Sequence, residues 1–356
     1  MLYRYFFITV LWAMGFFTTI AQPWQPISGK IMTPWGEKLY SEKPLNEYPR
    51  PQLVRANWQN LNGLWQYAIT STSQQSLPGS FDGQILVPFC VESALSGVGK
   101  TVGKDQLLWY KNTLNQQPLK KGEQLLLHFG AVDWQCDVFM NGVKVGSHEG
   151  GSDPFSFNIT RFLKKGNKQE IALRVWDPTD DGPQPRGKQV KNPHGIWYTP
   201  VTGIWQTVWT ETVPTTYIAS TRHTPDIDNK QLKVSAQIEG ALPGDLVKFV
   251  AYEGNTAVGE ATLPSGVEGS LEIENPKLWS PASPYLYDLK IQLLRGVKQI
   301  DYAESYFAMR KITIQPDKKG IQRLALNDQI LFQYGPLDQG WWPDGLLTAP
   351  SDEALA

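Results

Sequence analysis

The sequence has 356 residues, 41% hydrophobic and 19% charged, with a formal net charge of −1. That length admits two or three domains with sizeable cores, and the composition excludes a disordered or fibrous chain. A near-neutral charge supplies no field to steer the chain onto nucleic acid or an anionic membrane face, so nucleic-acid partners are set aside.

Arg4 precedes an uncharged run at 6–20 that closes on Thr19-Ile20-Ala21. A basic start, a short apolar run and small residues at its end predict a signal peptide over 1–21, cleaved after Ala21. The run is shorter than the roughly 20 residues that span a bilayer. Export to a bacterial periplasm or beyond is expected, with no membrane contact after cleavage. Cys90 and Cys136 are the only cysteines. Each sits in an apolar, strand-like context that suits a buried free thiol, although an exported chain tolerates a disulfide.

Residues 22–51 are rich in proline and polar side chains without periodicity, as in an arm laid on a fold. Strand patterns start at 63–69 and continue at 85–89, 107–114 and 125–129. Next, Cys136, Val138 and Met140 alternate with Asp137 and Phe139, Asn141-Gly142 interrupts, and Val143 and Val145 resume. Asn-Gly accepts positive φ at both central positions, so a type I′ hairpin is predicted. His148, beside the glycine pair Gly150-Gly151, reads as a structural hydrogen-bonding residue. Strands at 155–159, 171–176 and 203–210 complete a set of short elements without helical period, the pattern of an antiparallel sandwich of jelly-roll type.

Between Trp176 and Gly203 lies a loop rich in proline, glycine and charge, and loops of that length are usually functional or disordered. Arg186, Lys188, His194 and several acids equip it for a polar ligand, while Gly187-Lys188-Gln189 lacks the spacing of a phosphate loop. After a break near Pro214, short strands at 232–238, 246–251, 271–273 and 285–293 predict an immunoglobulin-like sandwich. The last stretch changes character: a small hairpin at 324–329 with an Asn-Asp turn, a buried-type strand at 330–334, an aromatic and acidic loop at 337–345, and Ser351 as a helix N-cap. Strand, loop and helix start make the first step of a β/α repeat, which cannot cover its own apolar faces. A barrel of that kind takes roughly 250 residues, so a fragment or truncated gene product is expected.

These motifs resemble glycoside hydrolase family 2, which contains β-galactosidases, β-glucuronidases and β-mannosidases. The resemblance runs through Asn62-Gly63-Leu64-Trp65, Val87-Pro88-Phe89 with Glu92-Ser93, Leu108-Trp109-Tyr110, Gly130-Ala131-Val132-Asp133, Asn141-Gly142 with Gly146 and His148, and Gly203-Ile204-Trp205. Leu278-Trp279-Ser280-Pro281 and Tyr285-Leu286-Tyr287 extend it, and 327–353 resembles the first strand and helix of the family's barrel. The resemblance implies a mainly β chain: a jelly-roll sugar-binding domain over 22–214, an immunoglobulin-like β-sandwich over 215–315, and the truncated start of a (β/α)8 barrel over 316–356.

Members of the family hydrolyse β-glycosidic bonds with retention, using two carboxyl groups about 5 to 5.5 Å apart. In the family both are glutamates of later barrel strands, so no catalytic residue is assigned here, and Glu92, Glu149 and Glu170 read as structural or solvated. By resemblance, an acid just after the strand ending at Trp176 reaches the sugar: Asp177 first, Asp180 second. Turn initiation by Asp-Pro stays open as the other use of Asp177. Asp338, Gln339 and Trp341 follow the first barrel strand, at the end where such barrels build their sites, and a capping role is open there too. No metal and no cofactor are expected. The partner is an oligosaccharide or β-glycoside, a homo-oligomer is left open, and the alternative reading is a non-catalytic carbohydrate-binding protein that has lost its barrel.

Overall fold

The computed structural model describes residues 24–42 and 44–356, so the expected signal peptide at 1–21 lies outside the described residues. The first sandwich comprises β1 (Trp58–Asn60), β2 (Gly63–Ser71), β3 (Gly83–Val87), β4 (Gln106–Asn115), β5 (Glu123–Phe129), β6 (Val132–Asp133), β7 (Gln135–Met140), β8 (Val143–Glu149), β9 (Phe155–Asn158), β10 (Lys168–Trp176), β11 (Gly203–Ile204) and β12 (Val208–Pro214). A six-stranded sheet runs β3-β2-β4-β10-β7-β8 and faces a four-stranded sheet β1-β12-β5-β9, while β6 and β11 make a short separate pair.

Side chains alternate across a strand, and β10 shows the consequence. Ile171, Leu173 and Val175 point into the core between the sheets with Trp65, Tyr110 and Phe129. On the opposite face, Trp176 packs with Ala68, Leu107, Trp109 and Phe139. Full burial of a side chain such as Leu173 stabilises by about 1.5–3 kcal/mol, and both faces of the larger sheet gain from it. The predicted hairpin forms between β7 and β8, with φ of 51° at Asn141 and 81° at Gly142. At Gly146 a Cβ would overlap the Phe157 ring, so glycine lets β8 lie close to β9.

The second sandwich comprises β13 (Tyr217–Asp226), β14 (Gln231–Glu239), β15 (Asp245–Glu253), β16 (Thr256–Pro264), β17 (Gly269–Glu272), β18 (Tyr287–Arg295) and β19 (Lys298–Phe307). Its sheets run β13-β14-β17 and β16-β15-β18-β19 around Leu232, Val234, Phe249, Leu289 and Ile291. Arg55 joins the two sandwiches. Its Nη1 and Nη2 donate to Asp301 at 2.6 and 2.9 Å, Nη2 also donates to the Ile218 carbonyl at 2.7 Å, and Nε lies 3.4 Å from Glu211. Glu211 also accepts from Tyr48 at 2.6 Å, from Arg50 at 2.8 Å and from Trp209 at 2.9 Å. Arm and both sandwiches therefore share one buried ionic network.

Beyond it, β20 (Ile312–Pro316), β21 (Gln322–Leu326) and β22 (Gln329–Ile330) form a small meander. Its Asn327-Asp328 turn has positive φ at both residues, as the hairpin reading expects. The strand expected at 330–334 does not form. Past Ile330 the chain has no regular element up to Trp341, and Phe332 and Tyr334 are 86% and 94% exposed. A strand needs a neighbour for its backbone groups and a cover for its apolar side chains; pairing with β21 ends where the Leu331 N–H donates to the Leu324 carbonyl at 3.1 Å, and the side chains of Phe332 and Tyr334 beyond it stay uncovered among the described residues. The helix start is present as α1 (Asp352–Leu355), with the Ser351 hydroxyl accepting from the Ala354 N–H at 3.3 Å.

Candidate functional site

At one end of the first sandwich, the β6–β7 turn, the glycine turn after β8 and the 177–202 loop enclose a cleft of about 610 Å³. That size suits a small ligand. Tyr198 and Trp341 line it with stacked rings, centroids 4.6 Å apart. The cations Arg186 and Lys188 line it together with the acids Asp133, Glu149 and Asp153. Lys188 Nζ donates to Gln339 Oε1 at 3.1 Å, and Arg186 Nε is buried without a hydrogen-bond partner among the described residues. Two clefts of about 560 and 580 Å³ beside the terminal helix turn are similar in size. The 610 Å³ cleft differs in being lined by two cations and a buried acid.

That acid is Asp133, whose pKa is pushed up to about 7, first by burial and then by the charge of Asp177; Gln189, donating at 3.4 Å, opposes the shift. Gly151 lies so close that a Cβ there would overlap the Asp133 carboxylate. Deeper in, burial pushes Glu92 up to about 8. Its Oε2 accepts from the Thr202 N–H at 2.9 Å, and its Oε1 is buried without a partner among the described residues. Asp177 completes the group. It is 2% exposed, accepts from the Thr179 N–H at 2.7 Å and the Thr202 hydroxyl at 2.8 Å, and has its pKa raised by burial.

Of the sugar-contact residues expected from sequence, Gln339 and Trp341 line the cleft. Asp177, Asp180 and Asp338 do not. Asp177 spends both oxygens inside the fold, which places it as the organiser of the loop start. Asp180 is half-buried and accepts from the Lys191 N–H at 3.4 Å, and exposed Asp338 accepts from the Gly340 N–H at 2.7 Å. Sequence reasoning missed Asp133 and Tyr198. A polar residue ending the apolar run at 129–132 was a usable signal for Asp133; Tyr198 lies in a loop without periodicity and is brought to Trp341 only by folding. His148 is placed structurally, its Nε2 3.2 Å from the Gly150 carbonyl and its ring stacked on Phe155. Cys90 and Cys136 are buried free thiols, and burial pushes Cys136 up to about 12, which removes it as a nucleophile at neutral pH.

With this geometry in view, comparison with known proteins locates the chain. Residues 53–197 match the model of glycosyl hydrolases family 2, sugar binding domain, and residues 216–310 match that of glycosyl hydrolases family 2. A β-glucuronidase of Paenibacillus borealis is 24% identical over 290 residues, covering 75% of this chain and 48% of that protein. A β-galactosidase of Thermoanaerobacter pseudethanolicus is 25% identical over 222 residues, covering 59% and 29%. Among solved structures, a Lactobacillus rhamnosus β-glucuronidase superposes with a TM-score of 0.69 at 21% identity, covering 84% of this chain and 52% of that one. The chain belongs to glycosyl hydrolases family 2. It spans about half or less of the length of these relatives.

Proposed function

We propose that the chain is the sugar-binding and immunoglobulin-like part of an exported, retaining β-glycosidase, and that its cleft forms one wall of the glycoside pocket. Residues 316–356 are read as the opening of the barrel, and the acid/base and nucleophile as carboxyl groups outside these 356 residues. The observation that carries this is the order of the two family matches, combined with a cleft of the sugar-binding domain that receives Gln339 and Trp341 from the following segment.

In this reading the chain binds and orients while the reaction occurs elsewhere. Tyr198 and Trp341 offer aromatic faces to the C–H face of a sugar ring, and Gln339 and Asp133 offer hydrogen bonds to its hydroxyls. Asp133 donates a proton to such a bond below pH about 7 and only accepts above it. Relatives include both β-glucuronidases and a β-galactosidase. The cations Arg186 and Lys188 favour the glucuronide, because Arg186 Nε has no partner among the described residues and a guanidinium gains most from a carboxylate.

The test is hydrolysis of 4-nitrophenyl β-D-glucuronide, galactoside and mannoside by the product of the reading frame continued past Ala356, with NMR of the first anomer released. Glucuronide hydrolysis with retention is expected, and no hydrolysis by this chain alone. A stop codon directly after Ala356 would overturn the enzyme reading; calorimetric binding of oligosaccharide by the chain would then support a non-catalytic binding protein. Export predicts a mature N-terminus at Gln22, and intact Met1 on the mature protein would refute it.

A further inference from the structure

The wall that Gln339 and Trp341 give to the cleft comes from a segment with two contrasting halves. Residues 331–340 are exposed throughout and carry no regular element, whereas Asp344, Gly345, Leu346 and Thr348 are buried against the first sandwich. Asp344 makes the difference. It is fully buried, and its Oδ2 accepts from both the N–H and the hydroxyl of Thr33, at 2.8 and 2.6 Å. The Thr33 hydroxyl oxygen in turn accepts from the Gly36 N–H at 3.0 Å, and a Cβ on Gly36 would overlap the Asp344 carboxylate. The Asp344 carbonyl accepts from the Leu95 N–H at 3.1 Å. A tight turn closed by the Trp342 and Leu346 backbones then delivers Leu346 to Cys90 and Val201, with Trp341 packed beside them.

We propose that Asp344 is a positioning residue: anchored on Thr33 of the N-terminal arm, it holds Trp341 against Tyr198 and so sets the shape of the cleft. The N-terminal arm thereby acts on a pocket whose wall is encoded some three hundred residues later. The consequence for ligand binding rests on the glycoside reading above; the anchoring does not.

Hydrogen exchange of the 356-residue chain tests the anchor without any ligand. Gly36→Ala and Asp344→Ala are expected to raise exchange about tenfold at 341–349 and at 186–198, the loss of a buried hydrogen bond, with β13–β19 unchanged. Asp344→Asn, which keeps an acceptor oxygen toward Thr33, is expected to retain most of the protection. Unchanged exchange at 341–349 in Gly36→Ala, or loss spread evenly over both sandwiches, would overturn the proposal. If Asp344→Ala does not fold, Thr33→Val gives a milder local rise, and its absence overturns the proposal equally. Binding of 4-nitrophenyl β-D-glucuronide is measured in parallel on the product of the reading frame continued past Ala356: a wild-type product that binds none refutes the glycoside reading, while the exchange data still decide the anchor.

Discussion

Glu211 and Asp301, at the seam between the sandwiches, are about as buried as Glu92 and Asp133 near the cleft, yet the two pairs of acids sit in opposite electrostatic settings. At the seam, burial works against the charge of Glu211, and Arg50, His128 and hydrogen bonds from Tyr48 and Trp209 outweigh it, so its pKa falls below the ordinary range. Asp301 lies 2.6 Å from the Arg55 guanidinium. Near the cleft no cation forms a salt bridge with Glu92, Asp133 or Asp177 among the described residues; the charge of Lys191 only partly opposes the rise at Asp177, and burial raises all three. Depth alone therefore does not decide the charge of a buried carboxyl; the neighbouring cation does. The seam uses charge to join domains, and near the cleft Asp133 and Glu92 are acids that change protonation near neutral pH, a property typical of ligand sites.

The largest expected effect breaks the seam. Arg55→Ala leaves Asp301 and Glu211 buried with less compensation and should cost about 3–5 kcal/mol of unfolding free energy in urea at pH 7. A loss below about 1 kcal/mol would show that apolar packing, and not the ion network, joins the sandwiches.

Glu92→Gln sharpens the other side of the comparison. An acid with a raised folded pKa binds its proton more tightly in the native chain, so its stabilising effect is complete at low pH and declines as pH rises toward about 8. The slope is about 1.4 kcal/mol per pH unit, or about 2 kcal/mol between pH 6.5 and 8 for Glu92. His128 runs the other way. Burial lowers its pKa to about 4, so it favours folding as pH rises from there to the ordinary histidine value, and measuring above pH 6.5 keeps it silent. Urea midpoints should fall across pH 6.5–8 in the wild type and fall less in Glu92→Gln; equal slopes would show that Glu92 is ionised in the fold.

A smaller effect is expected from Asp177→Ala. It frees the Thr179 N–H and the Thr202 hydroxyl and should cost about 1–3 kcal/mol, readable as a lower thermal midpoint. Smaller still is Trp341→Ala, which removes a ring stack worth about 0.5–1.5 kcal/mol and should weaken glycoside binding by about tenfold in calorimetry. Asp338→Ala, on the exposed side of the same loop, should change stability by less than about 0.5 kcal/mol. Equal losses of affinity in the two variants would place the ligand outside the cleft.

Much of the fold was legible because its strands bury apolar residues at every second position. The Asn141-Gly142 and Asn327-Asp328 turns were legible because their residue types tolerate positive φ. The pattern missed β19. Its buried positions include Asp301 and Ser305, and an acid belongs in a core only because Arg55, 246 positions away, bonds it. It also read a strand at 330–334 from apolar content, but pairing with β21 stops at Leu331 and Phe332 and Tyr334 beyond it stay exposed. Gln339 and Trp341 were reached through family resemblance, whereas Asp133 and Tyr198 were not reached.

By itself, then, the sequence determined the local elements of this protein: strand period, turn chemistry, the Ser351 cap and the family motifs, all of which depend on neighbours a few residues apart. Tertiary structure alone decided which acids carry charge, that Asp177 faces inward, and that Thr33 holds Asp344. Those outcomes depend on burial and on partners far along the chain, quantities that no window of sequence contains.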